Sequence, residues 1–202
     1  MIVGIILSAG ESKRMGTPKQ LLPWGRSIIL QQVIDNASAS RLGKILLVLG
    51  YRAEDIADKI SLSSKTSIVV NHDFKTGMSS SVKCGISHAP VDTNAFMLLL
   101  GDQPFIGSGI INQLIDRYQT GKHSIIVPVY DGQRGHPVIF DACYKQELLA
   151  ISDQGAKEVT ERHNRDIIEV HVDSADVLAD IDTPQDYENV KGQAESSQKK
   201  DR

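Results

Sequence analysis

Residues 2–24, IVGIILSAGESKRMGTPKQLLPW, constrain the fold more than any other stretch. Residues 2–7 form an apolar, β-branched run that suits a strand buried in a sheet. Ser8-Ala9-Gly10 then makes a turn of small residues, and a loop carrying Lys13, Arg14 and Lys19 follows. Gly10 and Gly16 let backbone approach a ligand closely, and the N–H groups of such a loop can form a nest for an anion. A buried strand ending in a cationic loop of this kind fits phosphate binding, against the plainer alternative of solvated surface charge. Two familiar phosphate motifs do not match. A P-loop has four residues between its glycines and then Gly-Lys-Ser/Thr, whereas five separate Gly10 from Gly16, and Thr17 follows. A Gly-x-Gly-x-x-Gly fingerprint would need glycine where Ser8 stands.

Strand-like and helix-like patterns alternate along the rest of the chain. Ser27 is placed to cap a helix over 28–40, whose apolar positions Ile28, Ile29, Val33, Ile34 and Ala37 recur at helical spacing. A strand at Lys44–Leu49, a helix near 53–60 and a strand at Thr66–Val70 follow. The polar connection 71–81 runs into a helix bearing Val82, Cys84 and Ile86, and Ala95–Leu100 reads as a central strand. Ser108 is placed to cap the next helix, with Ile110, Ile111, Leu114 and Ile115 on one face. Beyond it come a strand at 124–129, a turn at 131–135 and an antiparallel strand at 136–140. A helix at 143–151, a second reaching about residue 163, a strand at 166–173 and a helix begun by Pro184 complete the pattern. The β-α rhythm predicts one α/β domain, a mostly parallel central sheet flanked by helices, with a small antiparallel element. The domain spans 1–190, split into halves at about 1–105 and 106–190, and the polar stretch 191–202 reads as a disordered tail.

Composition narrows the function classes. A net charge of −3, from 22 basic and 25 acidic residues, provides no global field for nucleic acid or an anionic membrane. The longest apolar runs, at 2–7, 45–49 and 95–100, fall far short of the roughly 18 residues that span a bilayer. Cys84 and Cys143 have no CxxC or histidine pairing, so they read as small side chains in a reducing compartment. With no basic leader at Met1-Ile2-Val3, the expected location is the cytoplasm.

Four further positions invite chemistry, each with a structural alternative. Asp102 directly follows the most apolar strand, so its carboxylate lies at the sheet's carboxyl edge, where α/β sheets bind ligands. A turn or cap aspartate is the alternative, but Ser108 is the better cap for the next helix. Ser79-Ser80-Ser81 can cap a helix or contact a ligand. Asp182 or Thr183 can cap the helix begun by Pro184. His136, between Gly135 and Pro137, is by itself a surface or core histidine.

Together these segments resemble the molybdenum cofactor nucleotidyltransferases, MobA-like NTP transferases, in the branch of cytidylyltransferases and accessory proteins serving xanthine dehydrogenase-type enzymes. The resemblance spans residues 7–187 and rests on LSAGESKRMGTPKQLL, GMSSSV at 77–82, LGDQP at 100–104, GHPVIF at 135–140, DQGA at 153–156 and DIDTPQDY at 180–187. Ser8 departs from it, since alanine is commoner there. The resemblance implies a Rossmann-like nucleotidyltransferase fold. It also implies that Leu7, Ala9 and Gly10 line the nucleotide pocket, with Arg14 and Lys19 on the triphosphate and Ser80 or Ser81 reading the base. It places Mg²⁺ on Asp102 and Asp182, and makes Arg14, Lys19 and Asp102 the residues closest to catalysis. Gly135, His136 and Pro137, with Asp153, Gly155 and Ala156, would border the pterin side.

The implied reaction needs no general base. The terminal phosphate of molybdopterin, already ionised at neutral pH, attacks the α-phosphate of a nucleoside triphosphate, with CTP favoured over GTP by the resemblance. The barrier is anion–anion repulsion, which Mg²⁺, Arg14 and Lys19 would relieve. Two other functions remain open: a sugar- or alcohol-phosphate nucleotidyltransferase, and a non-catalytic carrier that hands molybdenum cofactor to a target molybdoenzyme.

Overall fold

A computed structural model of the chain describes residues 1–121, 124–152 and 154–197. In chain order the elements are β1 (Ile2–Ser8), β2 (Pro23–Trp24), β3 (Ser27–Ile28), α1 (Ile29–Ala39), β4 (Lys44–Leu49), α2 (Ala53–Ala57), β5 (Thr66–Val70), α3 (Met78–Ser87) and β6 (Ala95–Leu100). The second half adds α4 (Ser108–Gln119), β7 (Ile125–Tyr130), β8 (Gln133–Arg134), β9 (Val138–Asp141), α5 (Lys145–Ala150), α6 (Lys157–Arg162), β10 (Ile167–His171) and α7 (Pro184–Ser197).

One central sheet runs β10-β7-β9-β6-β1-β4-β5, with β8 paired to β7. Neighbours β1–β4, β1–β6, β4–β5 and β7–β10 are parallel, whereas β9 is antiparallel to both β6 and β7. The mostly parallel sheet with a small antiparallel element is therefore the one the sequence predicts. Side chains of successive strand residues face opposite sides of the sheet. On one face Ile6, Leu47, Met97 and Leu99 bury against Leu30, Val33 and Ile34 of α1 and Ile111 and Leu114 of α4. On the other, Ile5, Val48, Phe96 and Leu98 bury against Val82 and Ile86 of α3, with Leu148 and Val159 from α5 and α6. None of the helices is long and apolar enough to cross a membrane, among the described residues.

Chain order makes β1 the switch point. From β1 the chain goes to β4 and β5 on one side, then returns to β6 on the other. The connections leaving β1 and β6 thus diverge, and a crevice opens at their carboxyl ends. Gly101 lets those ends lie close together: a Cβ there would stand 2.8 Å from the Ser8 side chain and 3.1 Å from the Leu7 carbonyl oxygen.

Three local expectations change. Ser27 does not cap α1; it pairs with Trp24 in a two-stranded antiparallel hairpin, and Ile28 occupies the cap position without a side-chain bond. Ser108 is the first residue of α4, preceded by Gly107 at the cap. The helix begun by Pro184 runs to Ser197, seven residues into the stretch expected to be a disordered tail, and 198–202 lie outside the described residues. Thr183, not Asp182, caps it. The Thr183 hydroxyl accepts from the Asp186 N–H at 3.2 Å, and the Asp186 carboxylate accepts from the Thr183 N–H at 2.8 Å, a reciprocal capping pair.

Candidate active site

A cleft of about 500 Å³ occupies the switch point. That volume suits a small-molecule ligand. Its floor is the end of β1, with Leu7, Ser8, Ala9 and Gly10, and its near wall is the cationic loop with Arg14 and Lys19. Leu100, Gly101 and Asp102 come from the end of β6, Phe74, Gly77, Met78 and Ser81 from the approach to α3, and Asp180 and Asp182 from the segment before α7.

The cationic loop keeps its shape through a residue the sequence reading passed over. Gln20, only 3% exposed, donates through Nε2 to the Gly10 carbonyl at 3.2 Å, and its Oε1 accepts from the Ser12 hydroxyl at 3.3 Å. Ser12 Oγ in turn accepts from the Lys19 N–H at 3.2 Å. Ser12 itself takes a left-handed conformation at φ 53°, which turns the loop back toward the sheet. A Cβ at Gly10 would meet nothing within 4 Å, so backbone faces the open cleft there.

The charged groups gather at one end. Lys19 Nζ hydrogen-bonds the Asp102 carboxylate and lies 2.9 Å from Asp182 Oδ1, with its side chain 17% exposed. Arg14 lies 3.0 Å from the other oxygen of Asp182 and is mostly exposed. Lys13, by contrast, pairs with Glu11 at 3.1 Å and projects into solvent. Burial disfavours the Lys19 ammonium, but Asp102 and Asp182 more than offset that, and its pKa rises above the ordinary lysine value. The Lys19 hydrogen bond, reinforced by the charges of Lys19 and Arg14, holds Asp182 below the usual carboxylate range.

Asp180 completes the acidic rim. Its Oδ1 accepts from Gln103 Nε2 at 2.7 Å. Partial desolvation of the carboxyl, then the nearby charge of Asp102, raises its pKa. A period-two signal was available for it: Asp180 and Asp182 flank the buried Ile181, so in extended chain both point the same way. Asn71 was likewise missed. It is buried, and its Nδ2 donates to Ser80 Oγ at 2.8 Å and Ser81 Oγ at 3.0 Å. Ser81 lines the cleft; Ser80 instead returns its hydroxyl to the Gly77 carbonyl at 2.8 Å.

Of the predicted residues, Leu7, Ala9, Gly10, Arg14, Lys19, Ser81, Asp102 and Asp182 converge on the cleft. The pterin-side set does not line it. Gly135 packs against backbone: a Cβ would stand 2.1 Å from the Val177 carbonyl oxygen. His136 donates its backbone N–H to that carbonyl at 2.9 Å, and its ring is half-buried with Nδ1 unpartnered. Burial lowers the His136 pKa against the pull of Asp102 and the Leu98 backbone, which favours the neutral imidazole. Pro137 borders a separate cavity of about 10 Å³ with Leu99, Leu100 and Gln103. Gly155 and Ala156 lie in a turn braced by Glu158, and Ser79 Oγ donates to the Ser152 carbonyl, tying that turn to α3. Asp153 lies outside the described residues.

The carboxylate pair fits a divalent cation. Two carboxylates that converge on one ammonium present hard oxygen donors to a common point, the donor type Mg²⁺ and Mn²⁺ prefer. No group of three or more His, Cys, Asp or Glu poised to hold a metal occurs among the described residues. Two carboxylates suffice for a divalent cation that keeps several of its waters.

Comparison with known proteins gives the family. Residues 4–167 match the model of the MobA-like NTP transferase domain. The molybdenum cofactor cytidylyltransferase of Escherichia coli K12 is 30% identical over 188 residues, 93% of this chain and 94% of that enzyme. Nicotine blue oxidoreductase of Paenarthrobacter nicotinovorans is 29% identical over 164 residues, 77% of this chain and 79% of the relative. Among solved structures, Rv0371c of Mycobacterium tuberculosis H37Rv in complex with manganese superposes with a TM-score of 0.81 at 28% identity, over 95% of this chain and 98% of that one.

Proposed function

Because the chain belongs to the MobA-like NTP transferase family and is a nucleotidyltransferase, we propose that it transfers CMP from CTP to the terminal phosphate of molybdopterin. The observation that carries the proposal is the charge arrangement of the cleft. Arg14 and Lys19 stand beside the carboxylate pair Asp102 and Asp182, at the sheet edge where backbone at Gly10 is open. A nucleoside triphosphate and a phosphate acceptor are the substrates such an edge can hold. The choice of CTP and molybdopterin rests on the name of the 30% identical Escherichia coli enzyme.

In the proposed reaction an oxygen of the acceptor phosphate forms a bond to the α-phosphorus. The bond from that phosphorus to the α–β bridging oxygen breaks, and pyrophosphate leaves with the electron pair. The nucleophile is already an anion, so no side chain has to take its proton. Arg14 and Lys19 neutralise phosphoryl oxygens, and the Gln20-braced loop fixes the position of both. Asp102 and Asp182 would hold a divalent cation, which would supply further charge neutralisation. Ser81, set by Asn71, faces the base, with Leu7 and Ala9 beneath. We assign Gly135, His136 and Pro137, with Gly155 and Ala156, to the acceptor side, beyond the lining of the cleft itself. What supports this is the hydrogen bond from the Ser79 hydroxyl to the Ser152 carbonyl, which ties residues just before Gly155 to α3, the helix whose Ser81 lines the cleft. The same charged set favours phosphate chemistry over the redox activity named for the Paenarthrobacter relative.

The test is incubation with Mg²⁺, molybdopterin and each nucleoside triphosphate in turn, with pyrophosphate and the pterin product both measured. Pyrophosphate formed with CTP and molybdopterin together, and a pterin dinucleotide by mass, is expected. Turnover that requires a sugar phosphate instead would replace the acceptor. Molybdopterin binding and target activation that survive Asp102→Ala, with no pyrophosphate from wild type, would make the protein a carrier.

A further inference from the structure

The two groups expected on the triphosphate are both engaged elsewhere. Lys19 Nζ bridges Asp102 and Asp182, and Arg14 takes the second oxygen of Asp182. Asp182 thus has Lys19 on Oδ1 and Arg14 on Oδ2. Each cation gives part of its hydrogen-bonding capacity to these carboxylates, and the Lys19 ammonium occupies the point at which both carboxylates would meet a metal.

We propose that Lys19 is a placeholder: in the ligand-free protein its ammonium holds the position between Asp102 and Asp182 that a divalent cation takes, so that cation and triphosphate load as a coupled pair. The proposal rests on the metal site argued above. The physical reasoning starts from the carboxylates. Two anions converging on one point repel unless a cation stands between them, and Lys19, at 17% exposure, is the cation present. Its flexible four-carbon stem allows the ammonium to leave without moving backbone, which a shorter or stiffer cation could not do. A ligand shifts a conformational equilibrium only by its differential affinity for the two states. Here the difference is steric and electrostatic at once: a divalent cation binds only the state from which Lys19 has withdrawn. The withdrawn ammonium, which lines the same cleft as Arg14, is then free to meet an anion there. By reciprocity, a triphosphate that draws Lys19 and Arg14 toward itself uncovers the carboxylates and raises their affinity for the metal by the same factor. The loop frame need not move, because Gln20 and Ser12 hold its backbone independently of the Lys19 ammonium.

Removing the placeholder should therefore strengthen metal binding. In the absence of nucleotide, Mn²⁺ affinity measured by electron paramagnetic resonance should rise about tenfold in Lys19→Met. Arg14→Met, which uncovers one oxygen of one carboxylate, should show a smaller rise. A second measurement uses the wild-type protein: acetylation of Lys19 by an amine-reactive ester, read by mass spectrometry, should be slow without metal and severalfold faster with saturating Mg²⁺. Equal or weaker Mn²⁺ binding by Lys19→Met, with wild type binding Mn²⁺, overturns the placeholder and leaves the metal site standing. Failure of both proteins to bind Mn²⁺ overturns the metal site as well. If Lys19→Met does not fold, the labelling decides alone: Lys19 acetylation unchanged by Mg²⁺ refutes the proposal.

Discussion

Replacing Gly135 with alanine separates two roles for the segment at 135–137. The added Cβ would stand 2.1 Å from the Val177 carbonyl oxygen and 2.7 Å from its carbon, far inside contact distance. Val177 is 1% exposed and its backbone cannot yield freely. That same carbonyl accepts the His136 N–H at 2.9 Å, while the Gly135 N–H is committed to the Pro128 carbonyl at 2.9 Å. Relief of the clash must therefore stretch at least one of these bonds. A lost backbone hydrogen bond of about 1 kcal/mol and overpacking of about 1–3 kcal/mol add to a destabilisation of about 2–4 kcal/mol. At roughly 2–4 °C per kcal/mol for a chain of this length, the midpoint of thermal unfolding should fall by roughly 4–16 °C. Calorimetry on Gly135→Ala, with molybdopterin binding measured well below the new midpoint, checks it. A midpoint within about 2 °C of wild type, with pterin binding lost, would refute the packing account and give Gly135 a ligand-facing role.

Asp102→Asn keeps shape and removes charge, and kcat/KM at saturating Mg²⁺ should fall about a hundredfold or more; unchanged turnover would take Asp102 out of the chemistry. Asp186→Ala removes acceptors for the Thr183 and Asp182 N–H groups, and should lower the urea midpoint of unfolding; an unchanged midpoint would mean that the cap is idle. Acid should act through Asp182, whose depressed pKa means that its ion-pair stabilisation is present above the unfolded carboxylate value of about 4 and lost as pH falls through the folded one. The stability gap between wild type and Lys19→Met should therefore narrow below about pH 4, and a gap constant from pH 6 to 2.5 would contradict the assignment. Ile181→Ala should cost about 2–5 kcal/mol and raise the KM for nucleotide, since Asp182 is its neighbour; a destabilised variant with unchanged KM would detach that core from the cleft.

The long apolar strands were legible because burial on both faces leaves little else that such runs can do. The strands at Lys44–Leu49, Thr66–Val70 and Ala95–Leu100 form as read. Two serines misled. Ser27 and Ser108 both precede helical periodicity, but Ser27 is drawn into the hairpin with Trp24, and Gly107 takes the cap position before Ser108. The last helix was read too short because the sequence from 191 shows no apolar period; a helix started by a capping pair can continue on propensity without one. Within the cleft, the motif residues were recoverable from strand ends and charge. Gln20, Asn71 and Gln103 were not, since a buried amide is recognisable only by partners that the fold brings to it.

The charges of the cleft come from segments about 80 residues apart along the chain, and an apolar knot brings them together. Trp24 follows the cationic loop, Phe105 follows Asp102, and Ile181 precedes Asp182; these three pack in one small core with Ile29 and Tyr187. The Trp24 and Phe105 rings meet edge to face at 5.0 Å, and the Tyr187 hydroxyl donates to the Pro23 carbonyl at 2.8 Å. Each apolar anchor lies within five residues of a charged group: Trp24 of Lys19, Phe105 of Asp102, Ile181 of Asp182. Burying charge partners is costly unless geometry is imposed from outside the pair. Here the hydrophobic contact supplies that geometry, so the cations and carboxylates can exchange partners without the segments that carry them coming apart.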